Sequence, residues 1–233
     1  MKNFTFACRL VIPVFFSYVF IGLAYGILLH QAGYSVLWAV LSSMFIYAGS
    51  MQIVLVALLT SGASLWTIAF TALFINARHI FYGIGFVERF REIGGWKYPY
   101  MALTMTDETY SVLCSAEYPE DVESDKAVFY VQLLGHIIWV AASAFGALMG
   151  ELIPFDMTGI EFSATAFFVT VVVSQWRRSN SHIPAITGFV SAIIFYFALG
   201  ADNFILPALS VSAVVLALMK DRITLKTGGA LNV

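Results

Sequence analysis

Asn76, Arg78, His79 and Tyr82 lie close together near the far end of an apolar stretch, Leu65–Gly85 (LWTIAFTALFINARHIFYGIG). A guanidinium can grip a carboxylate through two parallel hydrogen bonds, and an imidazole titrates near neutral pH. At membrane depth such groups are costly. They face a protein interior or a water-filled path, or else they lie near a helix end and snorkel to the headgroups. Asp107 and Glu108 form a second polar insertion, in the stretch Tyr100–Ser115. Adjacent acids in an apolar helix need a cationic partner or a proton. Gly49, Ser50 and Gln52 form a third, in the middle of Val36–Leu59 (SSMFIYAGSMQ). A helix broken near Gly49 releases backbone groups that must find partners or a polar cavity, so non-helical backbone is expected within Ala48–Gln52. Ser42 and Ser43, in the same run, read instead as small residues for close helix packing.

The elements that must position these residues follow from composition. The chain has 233 residues, 60% of them hydrophobic and only 11% charged, against about 25% charged in an ordinary soluble domain. The apolar residues come in continuous runs near the roughly 20 residues a membrane helix needs, and without the period-two alternation of a barrel. The fold class is an all-α polytopic membrane protein of about seven to eight transmembrane or re-entrant helices. The formal charge of −2 leaves no footprint for nucleic acid. Cys8 and Cys114 have no metal or disulfide spacing and read as buried, inert thiols, and no cofactor or metal is expected.

In order, the spans are Leu10–Leu29, Val36–Leu59, Leu65–Gly85, Ala127–Met149, Ile160–Trp176, Pro184–Leu199 and Phe204–Met219. Tyr100–Ser115 is too short to assign. Read as one helix, it puts Thr104, Asp107, Glu108, Ser111 and Ser115 on a single face. The alternative is an amphipathic helix in the interface. Gly22/Gly26 (GLAYG) and Gly146/Gly150 (GALMG) are GxxxG pairs that allow close helix approach. A weak internal repeat follows. GLAYG, a loop, a helix and SMQ at Gln52 are echoed by GALMG, a loop, a helix and VSQ at Gln175. The expected organisation is one transmembrane domain, 1–233, with repeat-like halves 10–116 and 127–219. The halves are parallel if Tyr100–Ser115 spans and inverted if it is re-entrant. In an eight-span count Lys2, Arg9, Arg177 and Arg178 fit a cytoplasmic side, but Arg89, Arg91 and Lys97 fall outside, against the positive-inside rule.

The segments GLAYGILLHQAG, SSMFIYAGSMQ, FINARHIFYG and TDETY, in this order and spacing, resemble the AzlC family, the large subunit of branched-chain amino acid exporters. The resemblance implies a bacterial cytoplasmic membrane protein that exports a neutral amino acid with a small AzlD-type membrane subunit. With residue chemistry, it suggests roles. Arg78, or a half-helix N-terminus near Gly49, meets the substrate carboxylate. Asp107 or Glu108 meets the ammonium or carries a coupling proton, and His79 relays it. Tyr47, Phe81 and Tyr82 line the side-chain pocket. Arg78 and the Asp107–Glu108 pair are then expected to share one electrostatic site. Ser50, Gln52, Asn76 and Gln175 complete the candidate set. Two rivals are a non-transporting scaffold subunit and an intramembrane protease. For the protease, Asp107 stands alone as an aspartate, and Ser50 with His136 is the nearest approach to a serine pair.

Overall fold

A computed structural model describes residues 2–152, 169, 172–173, 176–177, 181–200 and 204–219. Ten helices and no strand occur among the described residues: α1 (Lys2–Gln31), α2 (Val36–Phe45), α3 (Ser50–Thr60), α4 (Leu65–Asn76), α5 (Arg78–Ile93), α6 (Lys97–Leu103), α7 (Asp107–Cys114), α8 (Ser124–Leu152), α9 (Ile183–Leu199) and α10 (Ile205–Leu218). The chain forms two compact units, Met1–Ala57 with Ile75–Glu161, and Leu58–Phe74 with Phe162–Val233.

The first unit is built on α1 and α8, of 30 and 29 residues, the two described helices long and apolar enough to cross a membrane. At 1.5 Å per residue each is about 45 Å long. They lie side by side and parallel, in a constant register. Lys2 pairs with Asp121 and Asn3 with Glu123 at one end. Gly22 faces Ala142 and Gly26 faces Gly146 further along, and His30 lies on Gly150 at the other end. The glycine pairs make this approach possible. A Cβ on Gly26 would sit 2.1 Å from the Ser143 carbonyl oxygen, and one on Gly146 would sit 2.3 Å from that of Leu23. Both GxxxG pairs are therefore spent on each other.

The remaining segments are fixed by what they touch along this pair. The helix α2 runs antiparallel to α1. Its start is beside Tyr34, and Ser42 then meets the Tyr25 hydroxyl at 2.7 Å. Near its end, the Met44 carbonyl meets His136 at 3.2 Å. The helix α5 brings Arg89 to Asp125 (3.8 Å) and over the Tyr118 ring, at the Lys2 end. From there α6 enters, with Lys97 over Phe129, and advances to Tyr100 beside His136. The chain breaks at residues 104–106 next to Tyr18, and α7 returns so that Tyr118 reaches Phe6.

This path corrects two expectations. Tyr100–Ser115 is not one helix, so Thr104 does not share a face with Asp107, Glu108, Ser111 and Ser115. The cause is local: Thr106 and Thr109 form a reciprocal capping box that starts a new helix at Asp107. Arg89 and Lys97 also lie at the same end as Lys2, because α6 and α7 double back rather than cross. The thiols differ as well, Cys8 being half-buried and Cys114 exposed.

In the second unit α9 and α10 pack against each other, with Tyr196 and Phe204 edge-on at 5.4 Å. Pro184 stands in the first turn of α9, where its missing N–H costs little, and Gly200 (φ 80°) ends the helix. The span expected over Ile160–Trp176 and the VSQ echo lie largely outside the described residues.

Candidate functional site

Two interrupted segments meet at the middle of the α1–α8 pair, approaching it from opposite ends. The first interruption is residues 46–49, between α2 and α3. Tyr47 there has φ 42° and Gly49 φ 38°. A left-handed tyrosine costs about 1–2 kcal/mol, and its neighbours hold it. Its hydroxyl donates to Tyr18 at 3.4 Å, and its ring lies 4.5 Å from that of His136. The expected break is thus present, shifted slightly toward the N-terminus, with Ser50 and Gln52 inside α3.

Gln52 is fully buried and answers the freed backbone. Its Oε1 accepts from the Ala48 N–H (3.1 Å) and from Trp139 Nε1 (3.0 Å), and its Nε2 donates to Ser43 (3.4 Å). Each atom that could reach a substrate is already engaged. At the second interruption Gln132 does the same work, donating to the Met101 carbonyl at 3.4 Å.

Tyr18, 3% exposed, is where the two breaks join. Its hydroxyl lies 2.5 Å from Thr106 Oγ1, donates to Glu108 Oε2 at 3.4 Å and accepts from Tyr47. Trp139 stands edge-on to Tyr18 (5.5 Å) and stacked on Tyr25 (6.2 Å), so an aromatic wall adjoins the acid. Gly135 permits the crowding: a Cβ there would lie 3.3 Å from the Tyr47 hydroxyl and 3.4 Å from Thr109 Cγ2. The N-termini of α3 and α7 both begin at this level; that of α3 carries partial positive charge, whereas that of α7 is closed by its capping box and holds Asp107 and Glu108 in its first turn. One half-buried carboxylate, one positive helix end and an aromatic wall thus converge. That is the donor, acceptor and apolar inventory a zwitterion with an apolar side chain requires.

Of the residues singled out from sequence, Gly49, Ser50, Gln52, Asp107 and Glu108 belong to these two breaks. His79 and Tyr82 reach them at second hand. Tyr82 contacts the His79 ring and stacks on Tyr110 of α7 at 4.8 Å. Asn76 Oδ1 is buried with no hydrogen-bond partner among the described residues. The side chains of Arg78 and Phe81, and all of Gln175, lie outside the described residues. The sequence does not mark Tyr18, Thr106, Gly135 or Trp139 as site residues, and it marks His136 only as a partner for Ser50. Both ring nitrogens of His136 are occupied, by Tyr100 and by Met44, which leaves none to activate a serine.

An AzlC protein family model matches residues 13–153, which include both breaks, all of α8 and most of α1. The chain belongs to the AzlC family. It is 34% identical over 209 residues to the branched-chain amino acid transport protein AzlC of Bacillus subtilis, covering 90% of this chain and 82% of that protein. An uncharacterized membrane protein of Helicobacter pylori is 34% identical over 223 residues, 96% of this chain and 97% of its own. The inner membrane protein YgaZ of Escherichia coli is 26% identical over 185 residues, 77% of this chain and 76% of its own. No solved structure matches. An AzlC protein is a membrane protein with a role in transport, and the family is not one of enzymes.

Proposed function

We propose that this chain is the large subunit of an exporter of branched-chain or related neutral amino acids, working with a small AzlD-type membrane subunit and driven by the proton gradient. The observation that carries the reading is the convergence of two interrupted segments on Tyr18 beside Glu108. Discontinuous helices that expose half-helix ends near mid-depth are a recurrent way for secondary transporters to hold a substrate.

The substrate carboxylate meets the N-terminal end of α3, and Glu108 takes the ammonium. The aliphatic side chain lies against Tyr18, Tyr47 and Trp139. Glu108 protonates as the substrate leaves, so one carboxylate serves both ligand and coupling proton. Arg78, Asn76 and His79 belong to the path leading there, and Gln175 to the corresponding place in the second repeat-like half. The Lys2 end is cytoplasmic, which puts Lys2, Arg9, Arg89, Arg91 and Lys97 on the side that the positive-inside rule requires. With α1 and α8 parallel and α6–α7 re-entrant, the chain between them crosses an odd number of times.

The test is counterflow of labelled L-valine in liposomes, with and without the small subunit. Tyr18→Phe and Glu108→Gln should each abolish most exchange, while an exposed control, Ser111→Ala, should not. Undiminished exchange in Glu108→Gln would refute the site.

A further inference from the structure

His136 touches both interrupted segments with hydrogen bonds. Its Nε2 lies 3.2 Å from the Met44 carbonyl, near the C-terminal end of α2, and its Nδ1 lies 3.1 Å from the Tyr100 hydroxyl on α6. Met44 O can only accept, so Nε2 carries a proton. In the neutral imidazole Nδ1 then accepts from the Tyr100 O–H. Two other polar side chains on this face of α8 serve one segment each. Gln132 serves the α6–α7 break and Trp139, through Gln52, the α2–α3 break. Further contacts fix the imidazole: the Tyr47 ring lies 4.5 Å away and the Tyr100 ring 5.9 Å. Gly135, next to it, leaves room for Tyr47 and Thr109: a Cβ there would lie 3.3 Å from the Tyr47 hydroxyl and 3.4 Å from Thr109 Cγ2.

We propose that His136 is a positioning residue that couples the two interrupted segments, so that neither can leave α8 without loosening the other. The inference rests on the reading of these segments as transport machinery. It adds that their movements are linked through one imidazole, which would allow the half-sites to form and dissolve together rather than leave a leak open at both ends. His136 makes no substrate contact in this scheme; it acts through Met44 and Tyr100.

The experiment perturbs one segment and reads the other. In a Cys8→Ser, Cys114→Ser chain, single reporter cysteines replace Ala48 in the first break or Thr104 in the second, both buried positions. Labelling rates with a small thiol reagent then report opening. Tyr100→Phe removes only the α6 hydroxyl. It should speed labelling at Thr104→Cys and, through His136, at Ala48→Cys, by roughly threefold or more. In a His136→Leu chain both reporters should already be fast, and Tyr100→Phe should add nothing at position 48. His136→Gln, which keeps one donor and one acceptor, should return both rates most of the way. A Tyr100→Phe response confined to position 104 overturns the coupling, as does His136→Gln behaving like His136→Leu. Where His136→Leu fails to fold, Tyr100→Phe and His136→Gln alone still decide it. Valine counterflow is measured on the same samples. A reporter chain with Tyr100 and His136 intact that labels as expected but moves no valine overturns the proposed substrate and leaves the coupling standing.

Discussion

Alanine placed at Gly26 or Gly146 should break the α1–α8 seam, and the structure ranks the damage. At Gly26 the new Cβ would lie 2.1 Å from Ser143 O and 2.5 Å from Ala147 N; at Gly146 it would lie 2.3 Å from Leu23 O. These obstacles are backbone in the middle of long helices, so no rotamer change relieves them. The helices must separate by about an ångström over the crossing, and overpacking of this kind costs about 3 kcal/mol, the upper end of the usual range. That is roughly a hundredfold in the folded-to-unfolded ratio. At Gly22 the nearest atom is the Ala142 Cβ at 2.8 Å, and at Gly150 it is the His30 side chain at 3.2 Å. The His30 ring can turn, so Gly150→Ala should cost under about 1 kcal/mol; the Ala142 Cβ is fixed to its backbone, so Gly22→Ala should cost an intermediate amount. The assay is thermal unfolding of purified protein in detergent, followed by size-exclusion recovery. A double mutant sharpens it: Ala142→Gly removes the atom that Gly22→Ala would strike and should restore stability, whereas no side-chain trimming should rescue Gly26→Ala. Equal stability of the Gly26, Gly146 and Gly150 alanine variants would show that the seam is not close-packed and would refute the reasoning.

Further outcomes follow from the site. Gln52→Leu strands two buried donors, Ala48 N–H and Trp139 Nε1–H, and should cost about 2–5 kcal/mol; Gln52→Glu, which keeps the acceptor but must bury its carboxyl protonated, should cost less than Gln52→Leu only at low pH in the same unfolding assay. Thr106→Val deletes the cap of α7 and should cost about 1 kcal/mol while lowering valine exchange, because the cap and the Tyr18 contact share one hydroxyl. Tyr47→Phe keeps the ring and its strain but loses the tie to Tyr18. It should leave unfolding nearly unchanged and slow exchange. At the Lys2 end, the hydrogen bond from Lys2 holds Asp121 below the usual carboxylate range, and that from Lys126 does the same for Glu123. A depressed folded pKa contributes stability above the unfolded value, near 4, that is lost as pH falls through the folded one. Stability should therefore be flat from pH 7 to pH 5 and decline below about 4, and Asp121→Asn should shrink that decline; both acids are fully exposed, so the change should be small.

What the sequence revealed, it revealed through steric requirements. GLAYG and GALMG read correctly as close-approach faces because a missing Cβ has a single consequence at a helix crossing. Gly49 marked a break because glycine adopts left-handed backbone freely. Tyr47, equally left-handed, gave no such sign, since only its tertiary neighbours hold it there. The α6–α7 turn stays ambiguous in the sequence for another reason. TMTDET satisfies both a helical face and a cap, and choosing the cap depends on the Thr106–Thr109 geometry and on Gln132 being present to take the Met101 carbonyl. Tyr18, His136 and Trp139 were invisible as a group because they come from helices far apart in the chain. Nothing in either helix alone distinguishes an aromatic that meets lipid from one that meets Glu108.

The α1–α8 seam joins residues 120 positions apart, as between Asn3 and Glu123. At ribosomal rates of about 5–20 residues per second, α1 waits roughly 6–24 s before its partner is made. During that interval its glycine face and Tyr18 lie uncovered in the bilayer, next to newly inserted segments that end in polar breaks. The cell's insertion machinery must therefore shelter a helix whose most adhesive surface belongs to something not yet synthesised.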